Sequence, residues 1–400
     1  VNTTDVDLPD ANVGLANCDA NPGQVGDQCT LRAAIMQANA GPGSDTIVLP
    51  TGATIVLNLN GSGGDESGDL DITAPVLITG ALLGFPSDFN ELPLIQANFT
   101  AERIFDIGQA VDVELRGMRL TGGNPSGIAG TNGGALRITS SGANVLVDRV
   151  RFQAHSASNG GAISNAGTLQ VLASDFSSNL SSGDAAAIFT SSVGNTTLRR
   201  SSIRSIRDSS GAPSALHVVQ GGQLLVEDSL IDGAPSVAGA TSTGGITADR
   251  PAQLVVRNST LVDFTEEGID VVADGSTTFR VYNSLLTAAG NACDLNLIVG
   301  PAPTLALDYN LINNNDCNIV GTGNLIGSNV LLEPLNVPSG GFVAIRRPPF
   351  ASLAIDRGIP TGTPGHPQSQ CTSVDQLDQP RPQDGDADGV ARCDRGAIEA

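Results

Sequence analysis

The densest group of side chains able to do chemistry is Asp384-Gly385-Asp386-Ala387-Asp388-Gly389-Val390. Carboxylates at relative positions 1, 3 and 5, a glycine at 6 and a backbone carbonyl at 7 suit Ca²⁺. This hard cation takes about six to eight oxygens, and the glycine permits the turn. Asp384, Asp386, Asp388 and the Val390 carbonyl are the expected ligands. Arg395 stands where a helix-loop-helix calcium site closes with Glu, so only the loop matches; the plain alternative is a solvated acidic turn. A second acidic group, Asp65, Glu66, Asp69 and Asp71, reads more simply as solvated loop and strand face. For catalysis the best cluster is Asp263, Glu266, Glu267 and Asp270, with Arg257 or Arg250 as a base. Acid clusters hold Ca²⁺ in polysaccharide lyases, and paired carboxylates cleave glycosidic bonds in hydrolases. Acidic loops are expected anywhere in this chain, so Asp263, Glu267 and Arg257 are carried only as the alternative to no catalytic site. His155, His217 and His366 are far apart and have no Ser or Cys partner at a recognisable spacing. Each is expected at the surface or in a turn.

The background chemistry narrows the field. A net charge of −21 over 400 residues repels phosphate backbones and anionic bilayers, which argues against nucleic-acid binding. Every basic residue is Arg, so no lysine amine is present to act as base or Schiff-base former. No apolar run is long enough to cross a bilayer as a helix, and the chain is expected not to be an integral membrane protein. Aromatics are 3%, with no Trp, so the core must be aliphatic and the aromatic platforms common in sugar grooves are missing. Cys18, Cys29, Cys293, Cys317, Cys371 and Cys393 allow 15 pairings in principle. They fall into neighbouring couples, and disulfides 18–29, 293–317 and 371–393 are the economical expectation. A metal site is the weaker alternative, since there is no CxxC. Three disulfides would mean an oxidising compartment, and a start at Val1 suits a secreted mature form whose leader has been removed.

What must position these residues is a repeat. From about 100 to 315 one template recurs: apolar, any, apolar, two variable residues, usually Ser, any, apolar. Its last apolar residue is Leu120, Phe152, Phe176, Ile203, Ile231, Leu261, Leu286 and Ile312, at spacings of 32, 24, 27, 28, 30, 25 and 26. A second element, such as Gly161-Ala162-Ile163 or Glu267-Gly268-Ile269, precedes most of these anchors. Strands this short bury no face alone, but stacked about 4.8 Å apart each pairs in parallel with its copies. The expected fold is all-β, a right-handed parallel β-helix of about 10–12 coils. Asp228-Ser229, Asn258-Ser259 and Asn283-Ser284 supply corners, because Asn and Asp tolerate the left-handed conformation. One column runs Arg116, Asp148, Leu172, Arg199, Glu227, Arg257, Tyr282, Asp308, and its largely alternating signs suit a stacked, solvated face.

An open stack exposes strand edges, so both ends need covering. Thr30 can N-cap a helix with Leu31, Ala34, Ile35 and Ala38 on one face, stopped at Gly41-Pro42. The expected division is 1–60 as N-terminal cap and first strands, 61–320 as repeat body, and 321–400 as last coil and irregular C-terminal cap.

Two end segments carry a resemblance. Cys29-Thr30-Leu31-Arg32-Ala33-Ala34-Ile35 followed by Asp45-Thr46-Ile47-Val48-Leu49-Pro50 resembles the CSLREA domain of secreted bacterial β-helix proteins, with Ala33 where that family usually has Glu. Ala354-Ile355-Asp356-Arg357-Gly358, Pro380-Arg381-Pro382 and Cys393-Asp394-Arg395-Gly396-Ala397-Ile398-Glu399 resemble the choice-of-anchor Q domain. The resemblance implies export, a β-helix and surface association, and no established reaction. The expected function is therefore a non-enzymatic, adhesive or self-associating surface protein. Its partners would be cell-surface or matrix components, polysaccharide among them. A calcium-dependent polysaccharide lyase or glycoside hydrolase is the alternative.

Overall fold

The computed structural model describes residues 1–13, 17–61, 66–80, 91–98, 102–125, 131–205, 207–208, 214–234, 244–314, 317, 321–339, 341–360 and 371–400. Asp65 and His366 lie outside the described residues. The chain forms a parallel β-solenoid of about eight turns, fewer than the 10–12 read from the repeat. The shortfall has a physical reason: the described residues of 330–400 add no turn, and lie instead along the side of the stack.

Each full turn contributes to three parallel stacks. The front stack runs from Asp45–Leu49 through strands such as Gln223–Glu227 to Thr304–Asp308. After a sharp corner the flank stack follows, with Leu230–Asp232, Thr260–Phe264 and Leu285–Ala288 among its members. The back stack has nine strands, from Leu70–Asp71 to Asp294–Leu297, and contains the second sequence element of each repeat. Inward positions of all three build one aliphatic core, to which Phe152 and Phe176 add a stacked pair at 4.6 Å.

The corner explains the recurring Ser. Arg149, Ala173, Arg200, Asp228, Asn258, Asn283 and Tyr309 have φ between 45° and 58°, each at the front-to-flank corner of its turn. After five of them, Ala173, Arg200, Asp228, Asn258 and Asn283, comes a buried serine whose hydroxyl does two things. Ser229 Oγ donates to the Glu227 carbonyl at 2.8 Å and accepts the Ser201 N–H at 3.2 Å. Ser174, Ser201, Ser259 and Ser284 repeat the donation to the residue two back. The ladder thus satisfies backbone groups the corner would otherwise orphan, each worth about 1–3 kcal/mol if left unmade.

At the start of the stack, the helix Leu31–Ala40 is N-capped by Thr30, whose side chain accepts the Ala33 N–H at 3.0 Å. Its face of Leu31, Ala34, Ile35 and Ala38 closes the core over Ile47 and Leu49. Arg32 is fully buried and forks onto Asp7, with Nε–Oδ1 at 2.8 Å and Nη2–Oδ2 at 3.2 Å. Asp7 also accepts the Asn58 and Leu59 N–H groups, so one ion pair ties the N-terminal segment, the helix and the first turn.

The C-terminal segment from residue 330 onward covers the flank stack. Ala344 N–H donates to Ser202 Oγ at 2.9 Å, Ala397 N–H to Thr260 Oγ1 at 3.0 Å and Gly396 N–H to the Asn283 carbonyl at 2.7 Å. Leu285, Leu311 and Ala354 form one apolar cluster, and Leu230, Val262 and Ala344 another. The corner residues carry anchors too: Thr372 Oγ1 donates to Asp228 at 2.6 Å, and Ile359 N–H to Asn283 Oδ1 at 2.8 Å.

The three expected disulfides form, with Cα–Cα distances of 5.1 Å for Cys18–Cys29, 5.2 Å for Cys293–Cys317 and 5.9 Å for Cys371–Cys393. Among the described residues, no helix is long and apolar enough to cross a membrane.

Candidate metal centre on the C-terminal segment

The turn 384–389 is wound by its own carboxylates. Asp384 accepts the Asp388 and Gly389 N–H groups, and Asp386 accepts Asp388 N–H at 3.1 Å. A residue distant in the chain, which sequence spacing did not suggest, completes the group. Asp356, buried and with φ at 51°, accepts the Asp386 N–H at 2.8 Å and the Arg392 N–H at 3.0 Å. Oxygens of Asp356, Asp384 and Asp386 lie within 4.8 Å of one another, a cluster able to hold a metal ion. Asp388 faces differently: its Oδ2 receives Arg392 Nη1 at 3.0 Å and its Oδ1 the Val390 N–H at 2.8 Å. The hydrogen bond from Arg392, more than any other influence, holds the Asp388 carboxyl below its usual range.

Directly behind Asp356 is a buried acidic hub. Asp394 accepts the Asp356 and Ala400 N–H groups, and Glu399 accepts those of Gln383 and Asp394. Arg381, itself fully buried along its side chain, reaches Glu399 at 3.3 Å and Asp228 at 3.8 Å. One guanidinium serves several carboxylates, so protons are retained. Burial, then the Glu399 charge, pushes Asp394 up to about 7. Burial pushes Asp228 up to about 7 against the pull of Arg381.

In an unfolded chain such groups ionise near about pH 4. Between there and pH 7 the folded form holds protons that the unfolded form has released, so stability falls as pH rises through this window. Replacement Asp394→Asn is expected to flatten part of that slope, by up to about 1.4 kcal/mol per pH unit. Urea melts of both proteins between pH 4.5 and 8 measure it. His155 acts in the opposite direction; of the expected surface or turn position only the turn holds, since it lies in the corner between Asn144–Gln153 and Ser156–Ala157 but is buried. The ring is buried, accepts Gly123 N–H at Nδ1, and so donates from Nε2 to the Leu120 carbonyl at 3.0 Å. Burial lowers it to about 3. Below about pH 6.5 the unfolded chain takes up a proton that the folded ring refuses, and stability is lost.

The second acidic cluster is Asp69, Asp71 and Asp106. Arginines already occupy it: Arg103 contacts Asp69 at 2.7 Å and Asp106 at 3.2 Å, and Arg137 also bonds Asp106. A cation there would compete with two fixed guanidinium groups.

The alternative catalytic residues are dispersed. Arg257 is on the front face and bonds Glu227. Asp263 is on the flank stack and is held by Arg346 at 2.6 Å, which also takes Asp232 at 2.6 Å. Glu267 precedes a back-stack strand beside Asp270 and Asp294, whose charges help raise the Asp270 carboxyl after burial. The back stack also holds a pair that spacing alone did not reveal. His217 Nδ1 is 3.4 Å from Asp184 Oδ1, and His217 Nε2 is buried with no hydrogen-bond partner among the described residues. The two lie in different turns, so only the register, with Phe189 opposite His217, brings them together.

The front-face column holds its register in every step but is solvated only in part: the Arg116 and Arg199 side chains are exposed, whereas Glu227, Tyr282 and Asp308 are buried. Register places Arg116, Asp148, Leu172, Arg199, Glu227, Arg257, Tyr282 and Asp308 one above another. Arg116 meets Asp148 at 3.3 Å, and Glu227 is gripped by Arg199 at 2.5 Å from one side and by Arg257 from the other. No family model matches the chain, and no curated protein is significantly similar to it.

Proposed function

We propose that the protein is a secreted or cell-surface, non-enzymatic structural protein that presents the long front face of its solenoid to matrix or cell-surface components. The observation that carries this reading is the self-compensated column on that face. Its arginines are spent on carboxylates of neighbouring turns, which leaves a rigid, charge-balanced surface and argues against attraction of polyanions. Three disulfides suit an oxidising, extracellular setting. The likeness of both end segments to exported β-helix proteins points the same way. The test is a reducing-sugar and unsaturated-product assay across neutral and acidic polysaccharides with calcium present. No turnover is expected; turnover that disappears in Asp263→Ala, Glu267→Ala or Arg257→Ala would favour the lyase or hydrolase instead. One observation favours that second reading, the His217–Asp184 pair with its unpartnered Nε2, so His217→Ala belongs in the same panel.

Within this reading Ca²⁺ is the ion of the Asp356, Asp384 and Asp386 cluster. All three donors are hard oxygens, and among the described residues no arginine side chain is bonded to them in the way that Arg103 and Arg137 hold the other cluster. An ion bound only by the folded state stabilises it by mass action, about 2.7 kcal/mol at a hundredfold excess over its Kd. Calcium is expected to raise the melting temperature of the native protein and to leave an Asp384→Asn, Asp386→Asn double variant unmoved. Equal melting temperatures of the native protein in calcium and in chelator would rule the ion out.

A further inference from the structure

The two ends of the stack are finished differently. The helix Leu31–Ala40 closes the core at the start, whereas at the far end, among the described residues, each of the three stacks stops on a strand with no strand beyond it. Ala273, Phe279 and Ile312 are fully buried core residues, and their partners one turn further are Leu297, Leu305 and Ile326. These three are 59%, 41% and 45% exposed. Ile298 and Val299 extend the apolar surface from the back stack. Among the described residues, the strands Asp294–Leu297, Thr304–Asp308 and Leu325–Ile326 each pair on one side only, so rows of backbone N–H and C=O groups face outward.

We propose that this end is an isologous interface at which two copies of the chain join tail to tail, the strands of one copy running antiparallel to those of the other across a two-fold axis. Charge argues for a second copy. In a chain with a net −21, self-repulsion opposes association through acidic faces, and residues 295–307 and 317–332 contain no Asp, Glu or Arg. Other stretches, 152–174 among them, are equally free of charge, so what sets this end apart is that its charge-free residues coincide with strands that have no strand beyond them. Area agrees. Residues 294–306 and 321–327, twenty in all, are exposed or half-buried at this end. A standard interface uses about 20–30 residues and about 800 Å² a side. The helix at the other end decides the symmetry. With residues 1–10 it engages the edges of the first strands: Val1 donates to the Val48 carbonyl, Asn39 to the Asp71 carbonyl, and the Asn58 and Leu59 N–H groups donate to Asp7, which opposes head-to-tail addition. Association then closes at two copies, and an antiparallel edge pairs with its own image under a two-fold.

The inference deepens the surface-presenting reading by fixing how copies join, and its test is separate: a polysaccharide assay can fail that reading while leaving a dimer untouched. Sedimentation equilibrium of the intact protein between about 1 and 100 μM, a range that brackets a micromolar Kd, is expected to show a monomer–dimer equilibrium. Leu297→Lys and Leu305→Lys each put a charge on the open end and are expected to weaken dimerisation at least tenfold. Their low-concentration melting temperatures should match the parent, which separates impaired association from impaired folding. Val193→Lys, at a 63% exposed apolar position elsewhere, should dimerise normally. A strictly monomeric parent, an open-ended polymer, or a dimer indifferent to both end substitutions would overturn the proposal.

Discussion

Replacing Leu285 by Asp is expected to release the C-terminal segment from residue 330 onward while the stack itself persists. Leu285 points outward from the flank stack, yet it is fully buried against Leu311 and Ala354, with Leu325, Val330 and Leu332 at the edge of the cluster. Truncating a buried Leu costs about 2–5 kcal/mol, and an unpaired carboxylate in the same place costs more. The packing this removes is that between the flank and its covering segment, whereas the inward neighbour Leu286 keeps its place in the core. Limited trypsin digestion should therefore cut after Arg346 and Arg357 much faster than in the parent, while far-ultraviolet circular dichroism keeps its β signal. Global unfolding would mean that the segment and the solenoid are one cooperative unit.

Arg32→Ala is expected to destabilise the N-terminal end by about 3–5 kcal/mol, the usual cost of breaking a buried ion pair from one side. The pair is fully enclosed, with side-chain exposures of 0% and 1%, and Arg32 also donates to the Gly68 carbonyl at 2.8 Å. Its removal leaves Asp7, among the described residues, with the Asn58 and Leu59 N–H groups as donors. The double change Arg32→Met, Asp7→Leu removes both charges and should recover much of the stability, because the penalty comes from the unpaired carboxylate. Urea midpoints of the two variants decide the matter: equal destabilisation would show that packing, and not charge, governs this site.

The stack was legible because its physics is periodic. A template returning every 24 to 32 residues named the front and flank strands, and a second element named the back stack. The column from Arg116 to Asp308 could be written down from spacing alone, since in-register stacking turns sequence offset directly into spatial neighbourhood. Corner chemistry was legible for Asp228, Asn258 and Asn283, but the second task of Asp228 and Asn283, receiving the C-terminal segment, was not. That segment has no period, so nothing in its own residues locates it. The signal was on the other partner: Arg151-Phe152 and Asp175-Phe176 pair a polar outward residue with an inward anchor, whereas Leu230-Ile231, Leu285-Leu286 and Leu311-Ile312 are apolar on both faces. A strand apolar on both faces is covered on both. Asp356 escaped notice for a similar reason. It joins Asp384 and Asp386 from far back in the chain, a separation that no local spacing rule connects.

Amide hydrogen exchange across the C-terminal segment tests the central claim, a solenoid sheathed along one flank by its own chain end. Ala344, Ile359, Gly396 and Ala397 donate their N–H groups to Ser202, Asn283, Asn283 again and Thr260. Docked, these four amides are expected to exchange orders of magnitude more slowly than an unfolded chain, approaching the protection of the flank strands beneath them. Exchange at unfolded-chain rates here, with Thr260–Phe264 and Leu285–Ala288 still protected, would contradict the sheathed solenoid.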